Sequence, residues 1–494
     1  MMFNSFSFIC FFIAILVPYF LVKPKFRRVW LLVVSVLFYS FWNPLYVLLL
    51  LYCILVTYGS GLLIGKFQSS TTKKKLFLAL GIILDLIVLF VFKYQNMMIE
   101  LVNSVLTHVN FSIDYRFELM LPIGISFYTF QTIGYMVDVY RGNIKASRNI
   151  IEYALFVSFF PQLVAGPIER SGNLIGQISN IENIEIRNIQ RIRQGLYTML
   201  WGFFMKVVIA DRAAIIADTV FKNYRILGSV ELLIGIICFS IQIYCDFGGY
   251  SAIAIGAAKI MGFNLMENFN TPYFSGSIKE FWNRWHISLS SWFRDYLYIP
   301  LGGNRKGKLK KYRNLMIIFL VSGLWHGAEW SFVVWGGLHG LYMVIEDMTS
   351  SIRERFIKKT NITTSCFSWK LLQAIFVFVL TSFAWIFFRA TNIREALDYI
   401  YRLFTAYDPW ILFDGGIYTF GVPALEYSLL FISVLVLITV DYLYLKTGKK
   451  LDALLQNQNM WFRWAVVILL LCGCIFFNCS ADGVSANQFI YFQF

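Results

Sequence analysis

This chain is short of charge. Asp, Glu, Lys and Arg make up 14% of it, against roughly a quarter in an ordinary soluble domain, and that scarcity excludes a water-soluble fold for most of the 494 residues. Other absences narrow the chemistry. No His-Glu-x-x-His occurs and no two histidines have the i, i+4 spacing of a zinc helix, so metal ligands are not expected. No Gly-x-Ser-x-Gly elbow sets up a serine nucleophile, and there is neither a P-loop nor a strand to carry a dinucleotide fingerprint. The 8 cysteines are scattered, with only Cys472, Cys474 and Cys479 close together, and read as small packing residues. The first apolar run, Ser5 to Val22, lacks a positive stretch before it and a small-residue cleavage pattern after it, so it reads as an uncleaved span. No internal repeat, low-complexity tract or soluble domain is visible.

What is present is apolar. Hydrophobic residues reach 58% and the mean hydropathy is +0.63. Runs of about 20 residues, enough to cross a ~30 Å hydrocarbon core, recur from Ser5 to Phe477. Lipid satisfies no backbone polar group and the runs do not alternate, so the expected fold class is an all-α polytopic membrane protein. The net charge of +15 does not signal nucleic acid, because the cations sit in short loops between apolar runs. Lys23 to Arg28, Lys66 to Lys75 and Arg141 to Arg148 read as cytoplasmic loops, which puts the N-terminus outside. Asn43-Pro44 turns the chain between Val29–Trp42 and Leu45–Ile64, Leu76–Phe92 crosses outward, and Leu119–Val139 returns. Ile151–Gly166 and Gly195–Ala210 read as half-spans or re-entrant pieces, and Glu231–Tyr244 as a span after which Asp246–Tyr250 and Ser251–Gly262 form a small-residue helix suited to close packing. The spans Leu371–Phe388, Gly421–Leu445 and Trp461–Phe477 complete the set.

Two stretches stand apart. Asn270–Tyr298 is aromatic, charged and short of aliphatics, which suits an interface or a cavity wall and not a crossing. Asn314–Glu346 is flanked by basic loops at both ends, so both ends share one side, yet two full crossings need roughly 40 residues plus a turn, more than it contains. A tilted or partial hairpin follows, with His326 before its middle. Of the 4 histidines, His108 falls in the predicted outer loop, His286 in the aromatic stretch, and His326 and His339 in the hairpin. An ionisable side chain at membrane depth is a functional candidate, and glycines 323 and 327 beside His326 permit close approach of a substrate or a helix. In one straight helix His339 would point away from His326, which favours a structural role for it. Asp85, Lys206 and Asp441 read as interhelical pairing or snorkelling groups. The basic loop from Arg305 and Lys306 to Arg313 has a topological reading and a sharper one, as a dock for a phosphate-bearing donor.

The runs Phe160-Pro-Gln-Leu-Val-Ala-Gly-Pro-Ile-Glu-Arg170, Gln242-Ile-Tyr-Cys-Asp-Phe-Gly-Gly-Tyr-Ser251, Phe281-Trp-Asn-Arg-Trp-His-Ile-Ser-Leu-Ser290, Arg294-Asp-Tyr-Leu-Tyr-Ile-Pro-Leu-Gly-Gly303, Gly323-Leu-Trp-His-Gly327 and Phe489-Ile-Tyr-Phe-Gln-Phe494, in this order, resemble the membrane-bound O-acyltransferase family. The chain is most similar to the branch of bacterial alginate, peptidoglycan and other exopolysaccharide O-acetyltransferases. The resemblance implies one transmembrane domain over residues 1–494, with core motifs over about residues 119–346. It implies a ring of about 11 tilted transmembrane helices, with re-entrant and interfacial helices, around a tunnel. By the same resemblance His326 is the catalytic histidine and His286 matches an upstream site. Asn283, Arg284, Trp285, Trp325, Asp246, Arg305 and Lys306 are candidate substrate- or donor-binding residues. A buried imidazole is disfavoured as imidazolium, so His326 can accept a proton from a hydroxyl, while His286 or Asn283 steadies charge on the acyl oxygen. The implied reaction moves acetyl from cytoplasmic acetyl-CoA, a substrate and not a bound cofactor, toward hydroxyls of an extracytoplasmic polysaccharide. A separate periplasmic transferase partner and the bacterial inner membrane belong to that picture. D-alanyl transfer to teichoic acid, or a transporter or flippase, are the alternatives.

Overall fold

The computed structural model describes residues 3–106, 119–164, 166–477 and 489–490. His108 and the last four residues of the closing motif lie outside them. Among the described residues the chain is helical, with no β-strand. Five helices are long and apolar enough to cross a membrane, Tyr46–Lys66, Thr71–Ser104, Ser229–Met261, Phe367–Arg389 and Ala424–Thr447, and Phe6–Leu21 and Met460–Phe476 are shorter apolar ones. The protein is all-α and polytopic, as its composition demands. It divides into two compact units, Met1–Met199 with Ser251–Met266, and Leu200–Tyr250 with Glu267–Phe494.

The first unit contains α1 (Phe6–Leu21), α2 (Arg27–Ser40), α3 (Tyr46–Lys66), α4 (Thr71–Leu89), α5 (Gln95–Leu106), α6 (Ile125–Arg141), α7 (Ile150–Ser158), α8 (Phe160–Leu163), α9 (Ser171–Ser179) and most of α10 (Ile189–Phe203). The expected turn between α2 and α3 is built by Asn43, whose side-chain oxygen accepts from the Leu45 amide at 3.0 Å. α6 starts later than the apolar run beginning at Leu119, because Pro122 disfavours helix in the residue before it and Gly124 is left-handed, at φ 76°. The stretch from Ile151 to Gly166 is broken as expected, into α7 and α8. Phe159 is non-helical, and Pro161 has no N–H with which to continue the ladder. The freed Phe160 amide donates to Ser35 Oγ at 3.1 Å, which meets the requirement that backbone groups at membrane depth find partners within the protein. Buried Asp85 on α4 accepts from Thr132 Oγ1 of α6 at 2.6 Å, an interhelical pairing.

The second unit holds the end of α10, then α11 (Asp211–Asn223) and the first part of α12 (Ser229–Met261). After these come α13 (Ile278–Arg284), α14 (Ile287–Phe293), α15 (Lys308–His326), α16 (Trp330–Lys359), α17 (Phe367–Arg389), α18 (Ile393–Thr405), α19 (Ala424–Thr447), α20 (Leu451–Gln456) and α21 (Met460–Phe476). The span expected to Tyr244 and the small-residue helix expected after it, which holds Gly248-Gly249, are one helix of 33 residues. Packing outweighs the weak helix propensity of glycine there: a Cβ on Gly249 would lie 2.7 Å from the Gly202 carbonyl oxygen. Close by, a π-turn at Phe204–Ala210 carries Lys206, which is 1% exposed and pairs with Asp211 at 2.8 Å and Asp246 at 2.6 Å. Asp441 on α19 accepts from Tyr244 of α12 at 2.9 Å.

The hairpin is formed by α15 and α16, and it is longer than the apolar stretch from Asn314 to Glu346 because both arms run on into basic sequence, from Lys308 and to Lys359. Small residues set its crossing. A Cβ on Gly323 would meet the Phe332 carbonyl oxygen at 2.3 Å, and one on Gly336 the Phe319 carbonyl oxygen at 2.1 Å. The neighbour admitted by Gly323 is a helix backbone.

Candidate active site

His326 is the last residue of α15, and the chain turns at Gly327, whose amide still bonds the Gly323 carbonyl at 3.3 Å. The turn corrects the expectation that His339 points away. The two histidines stand on different arms, and both rings touch Trp335, at centroid distances of 4.9 Å for His326 and 5.1 Å for His339. His339 Nδ1 accepts from Trp282 Nε1 at 3.3 Å, which ties it into the aromatic wall.

His286 occupies the corner between α13 and α14. Ser277 caps α13, accepting from the Glu280 amide at 3.1 Å. The helix ends at Arg284, and His286 is left-handed, at φ 42°. The preceding loop holds that uncommon conformation: Ile287 N donates to the Asn268 carbonyl at 2.9 Å, Ser288 Oγ to Asn268 Oδ1 at 2.6 Å, and Asn270 N to the Arg284 carbonyl at 3.0 Å. Arg284 reinforces the clamp, paired with Glu280 at 2.7 Å and donating to Thr271 Oγ1 at 2.8 Å.

The corner brings the His286 ring to 6.4 Å from that of His326, centroid to centroid. Trp325 lies against both, at 6.0 Å from His286 and 4.8 Å from His326. Phe247 at 4.7 Å from His286 and Phe388 at 5.4 Å from His326 extend the wall. Both histidines are buried, and burial holds the His286 imidazole well below its usual pKa, hence neutral. Such a pair can accept a proton from a hydroxyl and donate toward a carbonyl oxygen. Trp335 Nε1 and His339 Nε2 are buried in the same wall and have no acceptor among the described residues.

A cavity of about 610 Å³ opens beside this wall, lined by Trp282, Phe319 and Ser322, the last one turn before His326 on α15. Asn283 lines it too, as do the cations Lys279, Arg294, Lys311 and Arg353 and the acids Glu346 and Asp347.

The remaining candidates fall elsewhere. Trp285 is a core residue stacked on Phe281 at 5.4 Å and packed on Trp385 at 5.1 Å. Asp246 lies in the Lys206 ion cluster and accepts from the Ile490 amide at 2.7 Å, while Arg305 and Lys306 are exposed in the loop before α15. Trp335 and Phe388 join the site without a local sequence signal to mark them.

Residues 141–390 match the profile of the membrane-bound O-acyltransferase family. The chain belongs to that family. This acyltransferase is 39% identical over 397 residues to a probable alginate O-acetylase of Pseudomonas syringae pv. tomato, a match covering 80% of this chain and 74% of the relative. It is 38% identical over 402 residues to a peptidoglycan O-acetyltransferase of Helicobacter pylori, covering 76% and 73%. A teichoic acid D-alanyltransferase of Streptococcus thermophilus is 29% identical over 271 residues, covering 51% of the acyltransferase and 63% of the relative.

Proposed function

We propose that this acyltransferase moves acetyl from cytoplasmic acetyl-CoA to hydroxyls of a cell-surface polysaccharide, from the bacterial inner membrane and with a separate extracytoplasmic transferase completing the delivery. The observation that carries the reading is the buried imidazole pair, 6.4 Å apart, walled by aromatic rings. The names of these relatives, alginate O-acetylase and peptidoglycan O-acetyltransferase, support acetyl as the acyl group and a glycan as the acceptor.

In this reading the donor enters the cavity beside Ser322, its phosphates on Lys279, Lys311 and Arg353 and its thioester toward His326. His326 takes the proton of the attacking hydroxyl as the oxygen bonds to the thioester carbon. Negative charge collects on the former carbonyl oxygen, where His286 and the Trp335 indole N–H supply donors. Collapse re-forms the carbonyl and breaks the C–S bond, and the leaving thiolate takes the proton from His326. Balance is complete: one ester forms, one thioester is lost, and the thiol departs protonated.

The test is a deletion strain complemented with wild type or His326→Ala, with surface glycans read by mass spectrometry. Loss of O-acetyl esters on deletion, restored by wild type alone, is expected. Full restoration by a normally expressed His326→Ala protein overturns the reading. Loss of D-alanyl esters instead would assign the other acyl group.

A further inference from the structure

A second cavity, of about 770 Å³, lies within the first unit and far along the sequence from the histidines. Its walls are the end of α3 at Lys66, Gln68 just beyond, the end of α6 at Val139 and Gly142, and the non-helical segment Ile144–Arg148 that leads to α7.

The walls are built, not incidental. Ser147 N donates to Tyr135 Oη at 3.0 Å, Tyr58 Oη to the Arg148 carbonyl at 2.9 Å, and Gln68 Nε2 to the Val139 carbonyl at 2.6 Å. Gly65 allows the segment to approach α3, since a Cβ there would come to 3.0 Å from that of Ala146. Two loops separated in sequence are thereby tied around one space.

Three cations line that space, Lys66, Lys145 and Arg148, and no carboxylate does. Among the described residues none of the three makes an ion pair. Converging like charges repel, and an anion carrying several acceptor oxygens relieves the repulsion. The neighbouring surface names the source of that anion. α3 and α4 expose apolar side chains along their length, including Leu55 at 62%, Leu63 at 39%, Leu76 at 53% and Ile83 at 55%, so the cations stand at the end of a surface that fits acyl chains.

We propose that this cavity binds the phosphate-bearing headgroup of an anionic phospholipid, with the acyl chains lying along the outer faces of α3 and α4. The charges answer the headgroup and the leucines answer the tails. A positive-inside loop alone requires neither a shared cavity nor bonds that hold its walls.

Native mass spectrometry of the full chain, titrated with phosphatidylglycerol or phosphatidylcholine of the same acyl chains, tests it. Each cation near an anionic lipid contributes a factor of about five, so wild type should prefer phosphatidylglycerol by on the order of a hundredfold. K66Q/K145Q/R148Q should lose that preference, K66R/K145R/R148K should keep it, and millimolar inorganic phosphate should leave the bound lipid in place. Equal binding of the two lipids by wild type overturns the proposal, as does an undiminished preference in the glutamine variant. Displacement by inorganic phosphate would show a site for free anions and overturn the lipid assignment.

Discussion

The rings of His286 and His326 lie 6.4 Å apart in an edge-on arrangement, although one is held at a left-handed corner between two short helices and the other ends the first arm of a hairpin. Neither element is among the helices long and apolar enough to cross a membrane. Each delivers one imidazole into a wall of aromatic rings, and burial keeps the His286 ring neutral.

Trp335 touches His326 and buries an indole N–H without an acceptor among the described residues. If that donor meets the acyl oxygen, Trp335→Phe should lower kcat by about a hundredfold with KM for the donor nearly unchanged. Steady-state acetyl transfer separates the two constants, and an unaltered kcat removes Trp335 from the mechanism.

The buried His286 has its pKa lowered from 6.5 to about 3, so the unfolded chain takes up a proton that the folded one refuses. Its neutral form therefore favours folding fully above about pH 6.5, and this contribution is lost as pH falls toward 3, at up to about 1.4 kcal/mol per pH unit. His286→Asn should flatten the fall in Tm between about pH 6 and pH 4. Parallel Tm curves for the two proteins would contradict this assignment.

Legibility followed physical cause. Apolar length exposed the spans, and charge on both flanks of Asn314–Glu346 exposed the hairpin, because membrane topology is written locally. The meeting of His286 with His326 depends on the Asn268 clamp and on the turn at Gly327, neither of which has a periodic signature. The same turn misled the helical reading of His339, since angular spacing holds only within one helix. Asp246 drew attention as an acid in a motif, and its partner Lys206 lies on a π-turn that no residue pattern announces.

Gly336 packs where a Cβ would come to 2.1 Å from a backbone oxygen of α15. Backbone cannot yield as a side-chain tip can, so Gly336→Ala should splay the hairpin and cost about 1–3 kcal/mol. A lower Tm in detergent, with weakened acetyl transfer, is expected. Gly142→Ala is a poor control because of its positive φ, whereas Gly176→Ala meets no atom within 4 Å and should be nearly silent.

Lys206 pairs with two buried carboxylates at once. Lys206→Met leaves both without their cation and should destabilise the protein by about 3–5 kcal/mol, read as loss of folded yield and Tm. K206M/D211N/D246N should recover part of that loss, because it removes the stranded charges. No difference between the single and triple variants would show that the cluster matters through packing alone.

The most direct test of the central claim is the rate at which membranes incorporate label from acetyl-CoA into cell-surface glycan, with wild type and with His326→Ala. Removing the base should cost about a thousandfold while the protein stays folded and inserted. A variant that retains the wild-type rate would contradict the account.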